Sequence, residues 1–291
     1  MRFTPATRHN KFLRISLFGP SGTGKTLSAL QLARGLAGDN GKVAVIDTEC
    51  GSASLYADLY PFDVAELAPP FTPSNYIEYI EEASHNYDVL IIDSLSHVWD
   101  GEGGILAIHD SMGGNPFSSW NKIKPMQASL VKAILYANCH VICALRAKTD
   151  WEMVKNDSGR EVPKKVGLVP ISPKDIEYEF TLVFFLNNLH QASIIKQRTL
   201  SFSEKSFNPL WPETRSEVLT VDHGIELRNW LLTGQSYNLE SLKMMLDQCA
   251  AIDEITAVWR AIQPPLLTSH IQYREIVALF QAAKKSLEVT P

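Results

Sequence analysis

The residue pattern with the clearest chemistry lies near the start of the chain, where residues 19–26 read GPSGTGKT. This stretch fits the phosphate-binding pattern G-x-x-x-x-G-K-[ST], whose glycines let the backbone turn its N–H groups toward phosphate oxygens. In this pattern the lysine, Lys25, reaches the β- and γ-phosphates of a nucleoside triphosphate, and the hydroxyl of Thr26 is a ligand for Mg²⁺. The predicted nucleotide-binding residues are Gly19, Pro20, Ser21, Gly22, Thr23, Gly24, Lys25, Thr26 and Leu27.

The elements that must position this loop are also visible in the sequence. Residues 12–18 (FLRISLF) form an apolar run typical of a buried strand, and residues 27–36 (LSALQLARGL) have apolar side chains at helical spacing. A loop between a strand and a helix places its N–H groups at a helix N-terminus, which favours anions. The sequence therefore predicts a bound nucleoside triphosphate. Because no guanine-recognising N-K-x-D segment follows, we expect ATP with Mg²⁺.

Two carboxylates downstream complete a hydrolytic site. Asp93 ends the apolar run DVLIID (residues 88–93), where a carboxylate at the carboxyl end of a strand holds the hydration shell of Mg²⁺. Glu49 follows a second strand, VAVID (residues 43–47), and is the candidate base that orients and deprotonates water. Asp47 is either a rival base or a structural partner. Ser94 occupies the position after Asp93 where many related ATPases carry a glutamate.

These motifs together resemble the RecA recombinase family. The resemblance rests on GPSGTGKT (residues 19–26), IDTE (46–49), LYA (55–57) and IDSL (92–95). It implies that Glu49 is the catalytic base and that residues 143–148 form a sensor strand leading into a DNA-binding loop. The sequence departs from the family at Ala144, where a polar Asn or Gln sensor is expected, so that sensing either passes to Arg146 or is weak.

More closely, the chain is similar to phage and prophage RecA-like P-loop ATPases, including Sak-type single-strand annealing proteins. The similarity covers roughly residues 6–202, and its specific stretches are residues 51–58 (GSASLYAD), 93–104 (DSLSHVWDGEGG), 146–149 (RAKT), 163–167 (PKKVG) and 177–180 (EYEF). It implies a RecA-type core whose sensor strand lies between the P-loop strand and the Asp93 strand. It also implies a role in phage-type DNA recombination or annealing.

Lys196 and Arg198 follow the predicted strand at residues 192–195. Related ring- and filament-forming ATPases carry a Lys-x-Arg pair at this place. The resemblance implies that both side chains reach the γ-phosphate bound by a neighbouring subunit and stabilise its transition-state charge. Such a contact requires a head-to-tail homo-oligomer, either a ring or a filament.

The polar segment at residues 148–167 is the candidate contact for single-stranded DNA and is predicted to be an exposed loop or hairpin. Its basic residues alternate with acidic ones, and Trp151 offers a ring on which a base can stack. The predicted nucleic-acid contacts are Arg146, Lys148, Trp151, Lys155, Arg160, Lys164 and Lys165.

The whole chain is that of an α/β protein with a mostly parallel sheet. Strand and helix patterns alternate as far as residue 232 and give way to helical patterns alone beyond a linker at residues 234–236. We therefore expect a RecA-like core at residues 1–234 and a small helical domain at residues 235–291, which caps the core, docks a protein partner or stabilises the fold.

Composition limits the remaining possibilities. The 27 Lys and Arg residues against 32 Asp and Glu give a net charge of −5, so any nucleic-acid contact must be local. The four cysteines form no C-x-x-C pair, and Cys139 and Cys143 bracket an apolar strand, so we expect buried thiols. So few, scattered cysteines predict a reducing cytoplasm, which is that of the bacterial host if the chain is phage-encoded. The N-terminal residues carry no apolar signal core, and no run approaches the length of a membrane span.

Two functions of other classes remain compatible with the sequence. A nucleotide-dependent assembly switch or scaffold would hydrolyse ATP slowly and bind no DNA, and the acidic net charge and Ala144 favour it. A small-molecule kinase would need an acceptor pocket and an Arg-rich lid, for which no clear segment exists.

Overall fold

The computed structural model describes residues 8, 11–113, 116–155, 161–173, 176–203, 206–232, 239–261 and 273–289. The chain divides into two compact units. The larger comprises Phe12–Phe202 with Phe207–Glu226, and the smaller consists mainly of the chain from Leu227 on. The predicted boundary at residue 234 lies outside the described residues.

The larger unit is built on a sheet that contains nine of the eleven described strands, in the order β11-β8-β7-β1-β5-β4-β2-β3 with β6 paired to β5. The strands are β1 Arg14–Gly19, β2 Val43–Asp47, β3 Asp63–Glu66, β4 Val89–Asp93, β5 His140–Lys155, β6 Glu161–Pro170, β7 Leu182–Leu186, β8 Gln191–Gln197, β9 Leu200–Ser203, β10 Ser206–Pro209 and β11 Ser216–Val218. Strands β9 and β10 form a separate pair.

The described helices alternate with the strands through the core and follow one another at the end of the chain. They are α1 Lys25–Ala37, α2 Pro73–Asn86, α3 His97–Asp100, α4 Ile105–Ser111, α5 Pro116–Tyr136, α6 Val221–Leu232, α7 Leu239–Asp247, α8 Ile252–Ala261 and α9 Tyr273–Val289. Two short 3₁₀ turns, Ser52–Tyr56 and Ile176–Tyr178, also occur.

The sheet has the strand order that the sequence resemblance implied. Strand β5 lies between β1 and β4 and is parallel to both, so the sensor strand separates the P-loop strand from the strand that ends in Asp93. Strand β2 pairs with β4 on the other side, and β7 pairs with β1. Only β6, β8 and β11 join the described sheet in antiparallel fashion. The predicted α/β class with a mostly parallel sheet is confirmed.

Helices cover both faces of this sheet, which is why its central strands are apolar on both faces. Alternate residues of the strands, such as Phe18, Ile92 and Cys143, belong to a buried cluster shared with α2 and α5. The intervening residues point to the opposite face, where α1 packs against β4 and β5. Helix α2 begins at Pro73, because the hydroxyl of Thr72 caps the N–H of Asn75.

The structure adds to the predicted strands in two places. Strand β3 lies in the proline-rich connection at residues 61–73, where no strand was predicted. Strand β5 is longer than the predicted sensor strand at residues 143–148, because it runs from His140 to Lys155 and pairs with β6. The polar segment at residues 148–167 is therefore the hairpin that was one of its two predicted forms.

The prediction of buried thiols is confirmed, whereas the helical domain at residues 235–291 stays a prediction. Cys139 and Cys143 are both fully buried and free. In the smaller unit, Leu246, Ile255 and Phe280 share one buried cluster, against which the partly buried Trp259 packs. Among the described residues, no helix is both long and apolar enough to span a membrane.

Candidate nucleotide-binding site

The predicted site residues converge at one edge of the sheet, where the parallel strands end. The register pairs Gly19 with Arg146, Asp93 with Ala144, and Asp47 with Asp93. The last residues of β1, β4 and β2 therefore lie side by side with the middle of β5. In open α/β sheets the crevice at this edge is where ligands bind.

The loop at residues 19–26 has the conformation that a phosphate cradle requires. Gly22 and Gly24 have φ angles of 79° and 81°, in the left-handed region that favours glycine. The buried Thr23 hydroxyl donates to the Pro20 carbonyl at 2.9 Å and holds the loop closed. The backbone of residue 19 has no room for a side chain, because a Cβ there would lie 2.5 Å from the carbonyl oxygen of Leu186.

Lys25 lies inside this loop. Its ammonium group donates to the carbonyls of Pro20 and Gly19 at 2.9 and 3.2 Å. Burial lowers the pKa of Lys25, while the carboxylates of Asp93 and Glu49 raise it. The ammonium group is thus held by neutral acceptors at the place where a triphosphate would bring negative charge.

Thr26 and Asp93 are in direct contact at the end of β4. The Thr26 hydroxyl donates to Asp93 Oδ2 at 2.6 Å. Burial raises the pKa of Asp93 to about 6, against the opposing effect of that hydrogen bond. A hydroxyl beside a buried carboxylate is the all-oxygen donor set that Mg²⁺ prefers, and a cation there would offset the cost of burying the charge. The residues present therefore fit the expected Mg²⁺.

Asp47 and Glu49 have different surroundings, although they are two residues apart. Asp47 is 1% exposed, and its two oxygens accept the N–H groups of Glu49 at 2.6 Å and Ala53 at 2.8 Å. The Glu49 side chain is 35% exposed and faces Arg146, whose Nε lies 3.8 Å from its Oε1. The contacts of Asp47 are those of a structural partner that shapes the turn after β2, whereas Glu49 is accessible to water.

A chain of polar contacts connects this turn to β5. Thr48 Oγ1 lies 2.7 Å from His97 Nδ1, and Arg146 Nη1 lies 3.2 Å from His97 Nε2. His97 also stacks on Phe71, with 5.0 Å between ring centroids. Ala144 is fully buried in β5, so Arg146 is the first exposed residue after the position where a polar sensor was expected.

Sequence reasoning missed two residues at the site. His97, which was not predicted as a site residue, bridges Thr48 and Arg146. His190 lies in the turn between β7 and β8, and its Nδ1 would be 3.4 Å from a Cβ placed on Gly24. No local pattern identifies either residue, because each meets its partners only after the strands have paired.

Lys196 and Arg198 lie at the opposite edge of the sheet from the P-loop. In the register β7 runs parallel to β1, and Lys196 pairs with Val183, near the start of β7. Lys196 Nζ donates to the carbonyls of Glu177 at 2.7 Å and Phe180 at 2.9 Å, and Arg198 donates to Tyr178 at 2.7 Å. Neither residue can reach the P-loop of its own chain from this edge, so their predicted role across a subunit boundary stays a prediction.

The hairpin of β5 and β6 separates the predicted nucleic-acid contacts onto two faces. The extra residue of the bulge is Val166 on β6, so the side chains of β5 alternate regularly between the two faces. Trp151 therefore lies on the face opposite to Arg146 and Lys148. Trp151 and Met153 expose 57% and 61% of their surface on that second face. By register, the positions of Lys155 and Lys165 belong to the face of Trp151 and the position of Lys164 to the other, while Arg160 lies outside the described residues.

Comparison with known proteins gives the following matches. The family described as the AAA domain matches residues 11–209, and no curated protein matches the chain. Among solved structures, the chain is similar to a KaiC-like protein of the hyperthermophilic archaeon Pyrococcus horikoshii OT3. The two are 16% identical, with a TM-score of 0.36, over 67% of this chain and 82% of the other.

Proposed function

The chain belongs to the AAA domain family of P-loop ATPases, and we propose that it couples ATP hydrolysis to single-stranded DNA in phage-type recombination or strand annealing. In this proposal the P-loop binds the phosphates of ATP, and the chain works as a homo-oligomer in which each subunit contributes Lys196 and Arg198 to its neighbour. Residues 1–234 act as the ATPase core, and the helices at residues 235–291 serve assembly or a protein partner.

The hydrolytic step uses the carboxylates at the edge of the sheet. Glu49, the accessible carboxylate, orients a water molecule and accepts its proton as the water attacks the γ-phosphate in line. The Lys25 ammonium moves from the loop carbonyls to the phosphate oxygens. Thr26 and Asp93 would hold Mg²⁺, which would supply positive charge to neutralise the phosphates.

The observation that carries the DNA proposal is the continuity of β5. The same strand contains Arg146, which contacts Glu49, and Trp151, which is 57% exposed on the hairpin. An exposed indole is a platform on which bases of any sequence can stack, and such stacking contributes about 1–3 kcal/mol per base. A net charge of −5 leaves little long-range attraction for DNA, so stacking repeated around an oligomer supplies the affinity.

The test measures phosphate release from ATP with and without a single-stranded oligonucleotide, with Lys25→Ala as the blank. We expect DNA to stimulate hydrolysis and Glu49→Gln to abolish the stimulated rate. Trp151→Ala should weaken binding of a fluorescent oligonucleotide about fivefold or more. The matched control is Tyr136→Ala, which removes an aromatic ring that is 75% exposed at the end of α5.

Three results would contradict the proposal. Hydrolysis that is indifferent to DNA, together with no oligonucleotide binding, would favour the nucleotide-dependent scaffold. Equal loss of DNA binding in Tyr136→Ala and Trp151→Ala would exclude a specific role for the hairpin. Transfer of labelled γ-phosphate to a metabolite instead of water would establish a kinase.

A further inference from the structure

We propose that Arg146 and His97 are positioning residues that fix the Glu49 carboxylate for attack on ATP, an inference that rests on the proposed role of Glu49 as the base. The side chains come from the end of β2, from α3 and from β5. None of these three elements is adjacent to another in sequence.

The side chain of Glu49 is only weakly held. Its backbone N–H is fixed by Asp47 at 2.6 Å, but its side chain is 35% exposed. The Arg146 Nε lies 3.8 Å from Glu49 Oε1, and the guanidinium is itself 51% exposed. An exposed ion pair of this length constrains a carboxylate weakly. Arg146 therefore needs a support of its own if it is to orient Glu49.

Arg146 is supported by contacts with Ser96 and His97. Its backbone N–H donates to Ser96 Oγ at 2.9 Å, which fixes the main chain. Its Nη1 lies 3.2 Å from His97 Nε2. A guanidinium can only donate, so His97 Nε2 must accept in this contact. The guanidinium is thus held between an imidazole on one side and the Glu49 carboxylate on the other.

The contacts of His97 fix its tautomer. With Nε2 as the acceptor, the proton lies on Nδ1, which donates to Thr48 Oγ1 at 2.7 Å. Thr48 Oγ1 also accepts the Ser94 N–H at 2.8 Å and can donate to the Ser94 carbonyl at 3.2 Å. Burial, and then the charge of Arg146, lower the pKa of His97, which keeps the ring neutral and this tautomer intact.

These contacts close a ring of polar groups. Thr48 contacts His97, His97 contacts Arg146, and Arg146 contacts Glu49. Because Glu49 directly follows Thr48 in the chain, the backbone closes the ring. Each donor in the path faces an acceptor, and stacking on Phe71 at 5.0 Å fixes the plane of the imidazole. A ring of this kind orients a carboxylate more strongly than the ion pair alone, because displacing one member breaks the contacts of the next.

The experiment compares steady-state ATP hydrolysis by full-length variants, with binding of a fluorescent ADP analogue measured in parallel. Arg146→Gln should lower kcat about 10- to 100-fold, while KM and the Kd for the analogue change less than about threefold. Arg146→Lys should recover part of kcat. In His97→Gln the side-chain amide can still accept a hydrogen bond from Arg146, whereas the shorter side chain in His97→Asn can reach only Thr48. We therefore expect His97→Gln to retain more activity than His97→Asn.

A double-mutant cycle separates positioning from a structural role. In a Glu49→Gln background, Arg146→Gln should change the residual rate less than about twofold, because the group on which it acts is gone. Matched controls are Arg260→Gln and His85→Asn, which alter exposed residues of α8 and α2 and should keep the wild-type rate. Thermal melting of each variant identifies any loss of folding.

Several outcomes would overturn the inference. An equal loss of rate in the wild-type and Glu49→Gln backgrounds would mean that Arg146 acts elsewhere. A higher kcat in Arg146→Gln would mean that the pair restrains Glu49, and an unchanged kcat in all four single variants would exclude positioning. Failure of the proposed function has a separate signature, because Glu49→Gln would then itself hydrolyse ATP at the wild-type rate.

Discussion

Replacing Asp47 with asparagine separates the roles of the two carboxylates that follow β2. Both oxygens of Asp47 accept backbone N–H groups, from Glu49 at 2.6 Å and from Ala53 at 2.8 Å, and the residue is 1% exposed. An asparagine side chain at this position would keep one carbonyl oxygen but turn an NH₂ group toward the other N–H. The substitution therefore removes one charge-assisted hydrogen bond and leaves an NH₂ group facing a backbone N–H group at a buried position.

The magnitude follows from these contacts. A hydrogen bond to a charged group contributes about 1.5–3 kcal/mol, and a buried N–H left without an acceptor adds a desolvation cost. We expect Asp47→Asn to lower the free energy of unfolding by about 2–4 kcal/mol, or the Tm by roughly 5–15 °C for a unit of this size. Glu49→Gln should cost less than about 1 kcal/mol, because its exposed ion pair at 3.8 Å is weak.

The assay pairs urea unfolding with ATP hydrolysis for the same two variants. Glu49→Gln should lose hydrolysis and keep stability, whereas Asp47→Asn should lose stability. At a temperature where it is folded, Asp47→Asn should keep a rate well above that of Glu49→Gln. The reasoning is refuted if Asp47→Asn is as stable as the wild type yet inactive, since Asp47 would then be the reacting carboxylate.

Three further perturbations test the packing of the larger unit away from the site by urea unfolding. Arg14→Met should lower the free energy of unfolding by about 2–4 kcal/mol, because the buried guanidinium donates to the carbonyl of Leu13 and to three carbonyls at and just after the end of α5. Equal stability of Arg14→Met and wild type would contradict this. Gly35→Ala should cost about 2 kcal/mol or more, since its Cβ would meet a carbonyl of α6 at 2.1 Å, while Gly113→Ala, in open space, should be neutral. Burial lowers the pKa of His140 from 6.5 to about 4, so the stability contributed by its neutral form is present above pH 6.5 and lost between pH 6.5 and 4. His140→Asn should reduce the acid sensitivity of unfolding by about 2–3 kcal/mol over that window, and identical pH profiles would exclude His140 as its source.

Much of the core could be predicted because its determinants are local. The P-loop is a run of eight residues in which Gly22 and Gly24 adopt the left-handed φ angles that the turn requires. The central strands are contiguous apolar runs, and Asp93 stands at the end of one of them. Each of these features depends on neighbours within a few positions, so periodicity and residue type suffice to locate them.

The division of the polar hairpin shows a limit of such reasoning. As a sequence, residues 148–167 could form either a loop or a hairpin. In the structure, Arg146, Lys148 and Trp151 all lie in the continuous strand β5, whose alternation puts Trp151 on the face opposite to Arg146 and Lys148. A loop would impose no such alternation, so the two faces are defined only once pairing with β6 has made the segment a strand.

The surroundings of Glu49 were decided by tertiary structure alone. His97 follows Glu49 by 48 residues and precedes Arg146 by 49, and nothing local to any of them specifies the others. They meet because β5 enters the sheet beside β4, and β4 beside β2, which brings the ends of β2 and β4 next to the middle of β5. The sequence by itself determined the chemistry of the P-loop and of Asp93, whereas the strand order determined which side chains surround Glu49, because contacts between distant residues exist only after the strands have paired.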